Sequence, residues 1–122
     1  MRKLIILLFI CFAAGGKAQE TITYTHASAL QAGIPSEWFE EKNRVEFTNL
    51  TVTITFPNQS SITFHKLDTE KWGVTDDGLE YTAAPYETST GTRVMIQKFM
   101  TIYRLIFIYD RYNNLELIKI QE

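Results

Sequence analysis

Residues 93–110 read RVMIQKFMTIYRLIFIYD, and residues 111–120 continue RYNNLELIKI. This is the densest run of β-branched and aromatic residues in the chain, and its reading decides the fold. Gln97, Lys98 and Arg104 interrupt the apolar run well short of the ~18 unbroken residues that a membrane-spanning helix needs. The stretch therefore reads as sheet interior. It is too long for one ordinary strand, so a bend, bulge or break is expected near residues 98–101. The last hairpin is expected to turn at residues 111–114, because Asn113 and Asn114 tolerate left-handed backbone. That register sets Arg111 across from Glu116, Tyr109 from Ile118 and Phe107 from Ile120.

Working backwards, two more hairpins precede it. In residues 51–56 Val52, Ile54 and Phe56 share one face, and Ile62 and Phe64 share a face after the turn at residues 57–60. Opposed residues in an antiparallel pair lie on the same side, so Phe56 is expected across from Ile62 and Ile54 across from Phe64, with a loop of three or five residues. The other face then carries Thr51, Thr53, Thr55, Thr63 and His65. The second hairpin joins residues 72–76 to 79–83 through Asp77-Gly78, a pair suited to a two-residue type I′ turn. It places Val74 across from Tyr81 and Trp72 across from Ala83. Ala84-Pro85 is expected to end that strand.

Nearer the N-terminus the signals change. Residues 21–25 alternate apolar and polar as a first strand does. Residues 26–32 are rich in helix formers, with Gly33 placed to terminate a short helix and Pro35 beyond it. Ser36 is placed to cap a second helix over residues 37–42, with Glu37 and Glu40 in its first turn. Trp38 and Phe39 would then pin this pair onto the sheet as a lid. A further short strand is expected at residues 44–47.

The first residues carry an address. Arg2 and Lys3 precede an apolar run over residues 4–14, and Gly16 and Ala18 supply the small side chains that a signal peptidase requires. Residues 1–18 read as a signal peptide cut before Gln19, leaving a single antiparallel β domain over residues 19–122. The alternative is a lipoprotein anchored at Cys11, against which stands the bulky Ile10 at the cleavage position. Removing Arg2, Lys3 and Lys17 from the 12 basic side chains leaves 9 against 14 acidic ones, a net charge of −5. Such a surface repels nucleic acid and anionic lipid, so no nucleic-acid partner is expected. The one cysteine, Cys11, lies in the signal, so the exported domain has neither a thiol nucleophile nor a thiolate metal site. An exported domain without disulfides must be held by its core alone.

The sum is a mainly β fold: a small antiparallel barrel-like or strongly curved sheet of about eight short strands, built from hairpins, with a short helical insert after the first. In element order it resembles the lipocalin and fatty-acid-binding group of small barrels, in which a helical lid follows strand one. The Gly-x-Trp start of lipocalins is absent, so no motif of theirs is carried over.

Candidates for chemistry are few. His26 and His65 are the only histidines, and each reads as solvated or structurally bonded. Asp76-Asp77 and the Asp68/Glu70 pair read as turn chemistry, since calcium wants six or more oxygens from a loop with alternating carboxylates. No metal or cofactor is expected. The Thr ladder reads as the wet face of a half-exposed sheet, and the Asn49 and Asn58 sequons match by composition. Aromatic residues remain: Trp38, Phe39, Tyr81, Phe99, Tyr103, Phe107 and Tyr109, with Arg104 among them as a cation. These eight are the expected site for a ligand or partner. The expected function is non-catalytic binding, at the cell envelope or outside, of an apolar small molecule or a protein partner. The alternative is an assembly protein that exposes its final strand, residues 115–121, for edge pairing.

Overall fold

A computed structural model describes residues 19–120 of the chain. The expected signal peptide and the Cys11 anchor lie outside the described residues. Ten strands follow in order: β1 (Glu20–Gln31), β2 (Ile34–Pro35), β3 (Phe39–Phe47), β4 (Thr51–Thr55), β5 (Ser61–Lys66), β6 (Lys71–Val74), β7 (Glu80–Thr88), β8 (Arg93–Phe99), β9 (Arg104–Asp110) and β10 (Asn113–Ile118). Eight of them close a barrel in the order β1-β3-β4-β5-β7-β8-β9-β10, with β10 returning to β1. β2 hangs on β1 and β6 on β7, and every pairing is antiparallel. The expected break in the C-terminal stretch falls at residues 100–103, between β8 and β9.

The barrel is filled by side chains. Tyr24, Val45, Val52, Ile54, Phe64, Leu105, Phe107 and Leu117 are all buried to within 2% of completeness, and the Phe64 and Phe107 rings meet at 5.2 Å between centroids. Each such side chain contributes roughly 1.5–3 kcal/mol on burial. This cluster is the core.

The expected helical insert is absent among the described residues. Residues 26–31 continue β1, and residues 39–42 open β3. A seven-residue helix cannot sustain itself, whereas residues 26–30 pair with residues 114–118 of β10, and His26 and Ala27 also pair with β3. Ala27, completely buried opposite Leu117, lets the strands close at this point. Gly33 does punctuate the chain, as a turn residue: Ala32 (φ 52°) and Gly33 (φ 80°) form the two-residue link between Gln31 and its partner Ile34. Ser36 caps a strand edge, its Oγ accepting from the Ala29 N–H at 2.9 Å.

Three hairpins keep their existence and change their register. In β4–β5 Ile54 faces Ile62 and Val52 faces Phe64, two residues from the expected pairing. An even shift preserves the faces, so the apolar set stays inside and Thr53 and Thr63 meet outside with their Oγ1 atoms 3.0 Å apart. The loop is odd in length, as expected, with Gln59 at φ 74°. In β6–β7 the shift is one residue. Gly78 alone takes positive φ, the Thr75 N–H donates to Leu79 O, and Trp72 faces Thr82 while Gly73 faces Tyr81. The loop is therefore a three-residue one. The last hairpin turns on Arg111 and Tyr112, with Asn113 facing Asp110 and Leu115 facing Phe107. Asp110 accepts from the Tyr112 N–H at 2.7 Å and from the Asn113 side chain, which holds its carboxyl below the ordinary range.

Pro85 does not end a strand. β7 runs through it because β5 has stopped at Lys66 and β6 begins only at Lys71, so no neighbour needs the missing N–H. Its carbonyl accepts from Leu67 in that break. The free edge expected of the final strand is also absent: residues 114–118 pair with β9 on one side and β1 on the other. Closing the barrel consumes that edge. No helix among the described residues is long and apolar enough to cross a membrane.

Candidate functional site at the barrel mouth

Strand alternation carries polar residues into the lumen at one end of the barrel. Glu20 stands one inward step before Ile22, Lys66 one step after Phe64, Thr82 one before Ala84 and Lys98 one after Ile96. Glu70 joins them from the break between β5 and β6. Lys98 pairs with Glu20 across the opening, although β9 and β10 separate their strands. Its ammonium also sits 4.1 Å from the centre of the Phe47 ring on β3. Lys66 pairs with Glu70 at 3.5 Å.

Two cavities open here and share Glu20, Glu70 and Lys98. One, of about 490 Å³, is lined also by Ile22, Tyr24, Thr82, Phe99 and the loop at residues 100–103. The other, of about 450 Å³, reaches Phe47, Lys66 and Tyr86. The side chains of Lys66 and Lys98 are 16% and 31% exposed, those of Glu70 and Glu20 46% and 49%, so in each pair the cation is the better buried member. Burial, then Glu70, pushes the Tyr86 phenol up to about 12. Burial, then Glu20 and Tyr103, pushes Tyr24 up as well. Both hydroxyls keep their protons at neutral pH.

The rim is apolar. Leu50, Leu67, Trp72, Met100, Ile102 and Tyr103 are all exposed around or above the opening. Trp72 and Val74 stand in the inward phase of β6, which extends the lumen face beyond the barrel end as a flap on Thr82 and Glu80. Exposed apolar side chains above a charged floor suit an amphipathic small molecule.

The eight aromatic and cationic residues expected to form one site are dispersed. Phe99 and Tyr103 line the mouth. Tyr81 stacks on Phe99 at 5.5 Å, and Arg104 lies 4.6 Å over the same ring while pairing with Glu116 on the outer wall. Phe107 belongs to the filled core. Trp38 and Phe39 are exposed at the opposite end, where Phe39 opens β3 and pairs with Ala27 in place of the expected helical lid. Tyr109 lines a separate depression of about 490 Å³ with Ile62, His65 and the hydroxyls of Thr63, Thr88 and Thr92. Glu20, Tyr24, Lys66 and Glu70 are additions of the structure, and Tyr86 and Lys98, legible as an aromatic and a cation of the C-terminal strands, take their place beside them only here. The signal for three of them was present: a charged residue in phase with, and one step beyond, an apolar strand face.

Among the described residues no cluster of three or more His, Cys, Asp or Glu is placed to hold a metal ion. His26 takes a hydrogen bond with Thr25 Oγ1 at 2.9 Å. Comparison of the chain with protein-family models, with curated proteins and with solved structures finds no match.

Proposed function

We propose that the chain is an exported, non-catalytic binding protein that takes an apolar-tailed small molecule at the barrel mouth. The observation that supports this most is the coincidence of an open cavity of about 490 Å³ with an exposed apolar rim and inward-facing charges at the same end of a filled barrel. A filled core leaves the mouth as the place for a ligand of this kind. Export follows from the signal-peptide reading, with the Cys11-anchored form as its alternative. The test is native mass spectrometry of protein exported with its own leader and purified gently. A constant extra mass on a monomer, lost when Trp72→Ala and Tyr103→Ala are combined, supports the reading. An empty monomer that also fails to bind any of a panel of alkyl amphiphiles overturns it.

A second reading, assembly through a strand edge, rests on β6. The β6–β7 ladder uses the backbone groups of Lys71 and Gly73, so those of Trp72 and Val74 point to the open side. Such an edge accepts another strand. Dimerisation abolished by Val74→Pro, which removes a donor only on the open side, would favour this reading.

A further inference from the structure

We infer that the molecule taken at the mouth carries an anionic headgroup, a carboxylate being the simplest, and that it binds by displacing Glu20 from Lys98. This rests on the mouth being the binding site, and it adds the chemistry of the ligand. Four charges line the cavity of about 450 Å³, two of each sign, so their balance does not choose between a cation and an anion. Burial does. Lys66 and Lys98 are the less exposed members of their pairs, and each is paired with a glutamate that is about half exposed. A cationic headgroup that took the acids would have to leave two lysines without partners. An anionic headgroup replaces the more exposed carboxylate and leaves Lys98 paired. The displaced Glu20, about half exposed, turns into water at little cost.

Three features favour that exchange. Lys98 is held in place independently of Glu20, since its ammonium lies over the Phe47 ring, so losing the glutamate does not release it. The phenols of Tyr24 and Tyr86 line the two cavities on either side and offer O–H donors to an incoming oxyanion. The Lys98–Glu20 pair also stands between the two cavities, both of which it lines. Turning Glu20 outward joins them, which makes room for a headgroup at the lysine while the tail lies along Trp72, Met100 and Ile102. The exchange makes and breaks ion pairs only, and no covalent bond changes.

Trp72 provides the readout. Trp38→Phe removes the other tryptophan, which lies at the opposite end, and leaves Trp72, paired with the cavity residue Thr82, as the single fluorophore. Dodecanoate, dodecanol and dodecyltrimethylammonium, each below its critical micelle concentration, are titrated into this protein and into its Glu20→Gln and Lys98→Gln forms. The expected result is tightest binding of dodecanoate, by about tenfold over dodecanol. Glu20→Gln should strengthen dodecanoate binding, because the competitor for Lys98 is gone. Lys98→Gln should reduce dodecanoate to the level of dodecanol, while retained dodecanol binding shows that the mouth is intact. Equal binding of dodecanoate and dodecanol, a preference for the ammonium, or a dodecanoate preference that survives Lys98→Gln would overturn the headgroup assignment and leave the mouth as a binding site. No binding of any of the three, by Trp72 emission and by native mass spectrometry alike, would overturn both.

Discussion

The ring of Tyr81 lies across Gly73 on the neighbouring strand, so that a β-carbon at Gly73 would stand 2.6 Å from the ring carbon Cζ. Tyr81 in turn stacks on Phe99, over which Arg104 is placed. The missing side chain on β6 thus fixes an aromatic cluster on the outer wall. Gly73→Ala should destabilise the fold by about 1–3 kcal/mol through overpacking. In a Tyr81→Ala background the same change should be neutral or stabilising, since the φ of Gly73 suits any residue and alanine restricts the unfolded chain. A double-mutant cycle from urea melts measures this; two costs that simply add would show that the ring and the glycine are uncoupled.

The same hairpin shows how a one-residue error arises. Asp77-Gly78 supports a two-residue turn with both residues at positive φ, and that register unites the apolar residues Trp72 and Val74 with Ala83 and Tyr81. The chain instead spends three residues on the loop, with only Gly78 left-handed at φ 90°. Tyr81 then finds Gly73, and Trp72 turns to the mouth. Gly78→Ala should cost about 1 kcal/mol, because a β-carbon is disfavoured in that conformation. Asp77→Ala, without a positive φ to support, should cost less. Thermal melts giving the opposite ranking would show that Asp77, not Gly78, carries the turn.

Burial of two phenols at the mouth sets a pH dependence at the alkaline end. Tyr86, raised to about 12, and Tyr24, raised further, hold their protons in the folded chain over a range in which the unfolded chain has lost them. A group whose folded pKa lies above its unfolded value supports the fold fully below the unfolded value. That support is lost as pH rises from about 10. Stability should therefore be insensitive to these tyrosines at neutral pH and fall above pH ~10, by up to ~1.4 kcal/mol per pH unit for each. Urea melts between pH 9 and 12 check this. Tyr86→Phe should flatten the decline, and an unchanged slope would place the Tyr86 hydroxyl in solvent.

Period-two patterning was enough to give hairpins and the break after Phe99, and it left open whether the interior is hollow or filled. It failed where helix propensity competed with it. Residues 26–32 contain good helix formers, yet Ala27 is a lumen residue opposite Leu117, and nothing local says that β10 will return to meet it. That pairing joins residues some ninety positions apart. The aromatic residues were visible as a composition and not as a place, because an outward Tyr81 and an inward Phe107 look alike before the register is known. Lys66 and Lys98 were legible in phase, each two residues past a core side chain, but their convergence with Glu20 requires the barrel to close.

Apart from the tyrosine hydroxyls, Asn43 is the one buried polar side chain among the described residues. It is fully buried on β3 across from Tyr24, at the bulge where the β1–β3 register shifts. Its Nδ2 donates to Glu41 at 3.0 Å, while its Oδ1 has no partner among the described residues. A buried acceptor left unpaired costs about 1–3 kcal/mol, comparable with what the hydrogen bond to the Glu41 carboxylate returns, so the balance is tipped by the apolar burial and strand propensity that a valine adds. Asn43→Val suits a β-strand, removes the unpaired oxygen and adds little volume. It should raise stability by about 1 kcal/mol and the melting temperature by about 4–8 °C for a domain of this size. Calorimetry of the two proteins decides it. A fall in melting temperature would mean that Asn43 holds the bulge, and that the Tyr24 ring at the mouth depends on it.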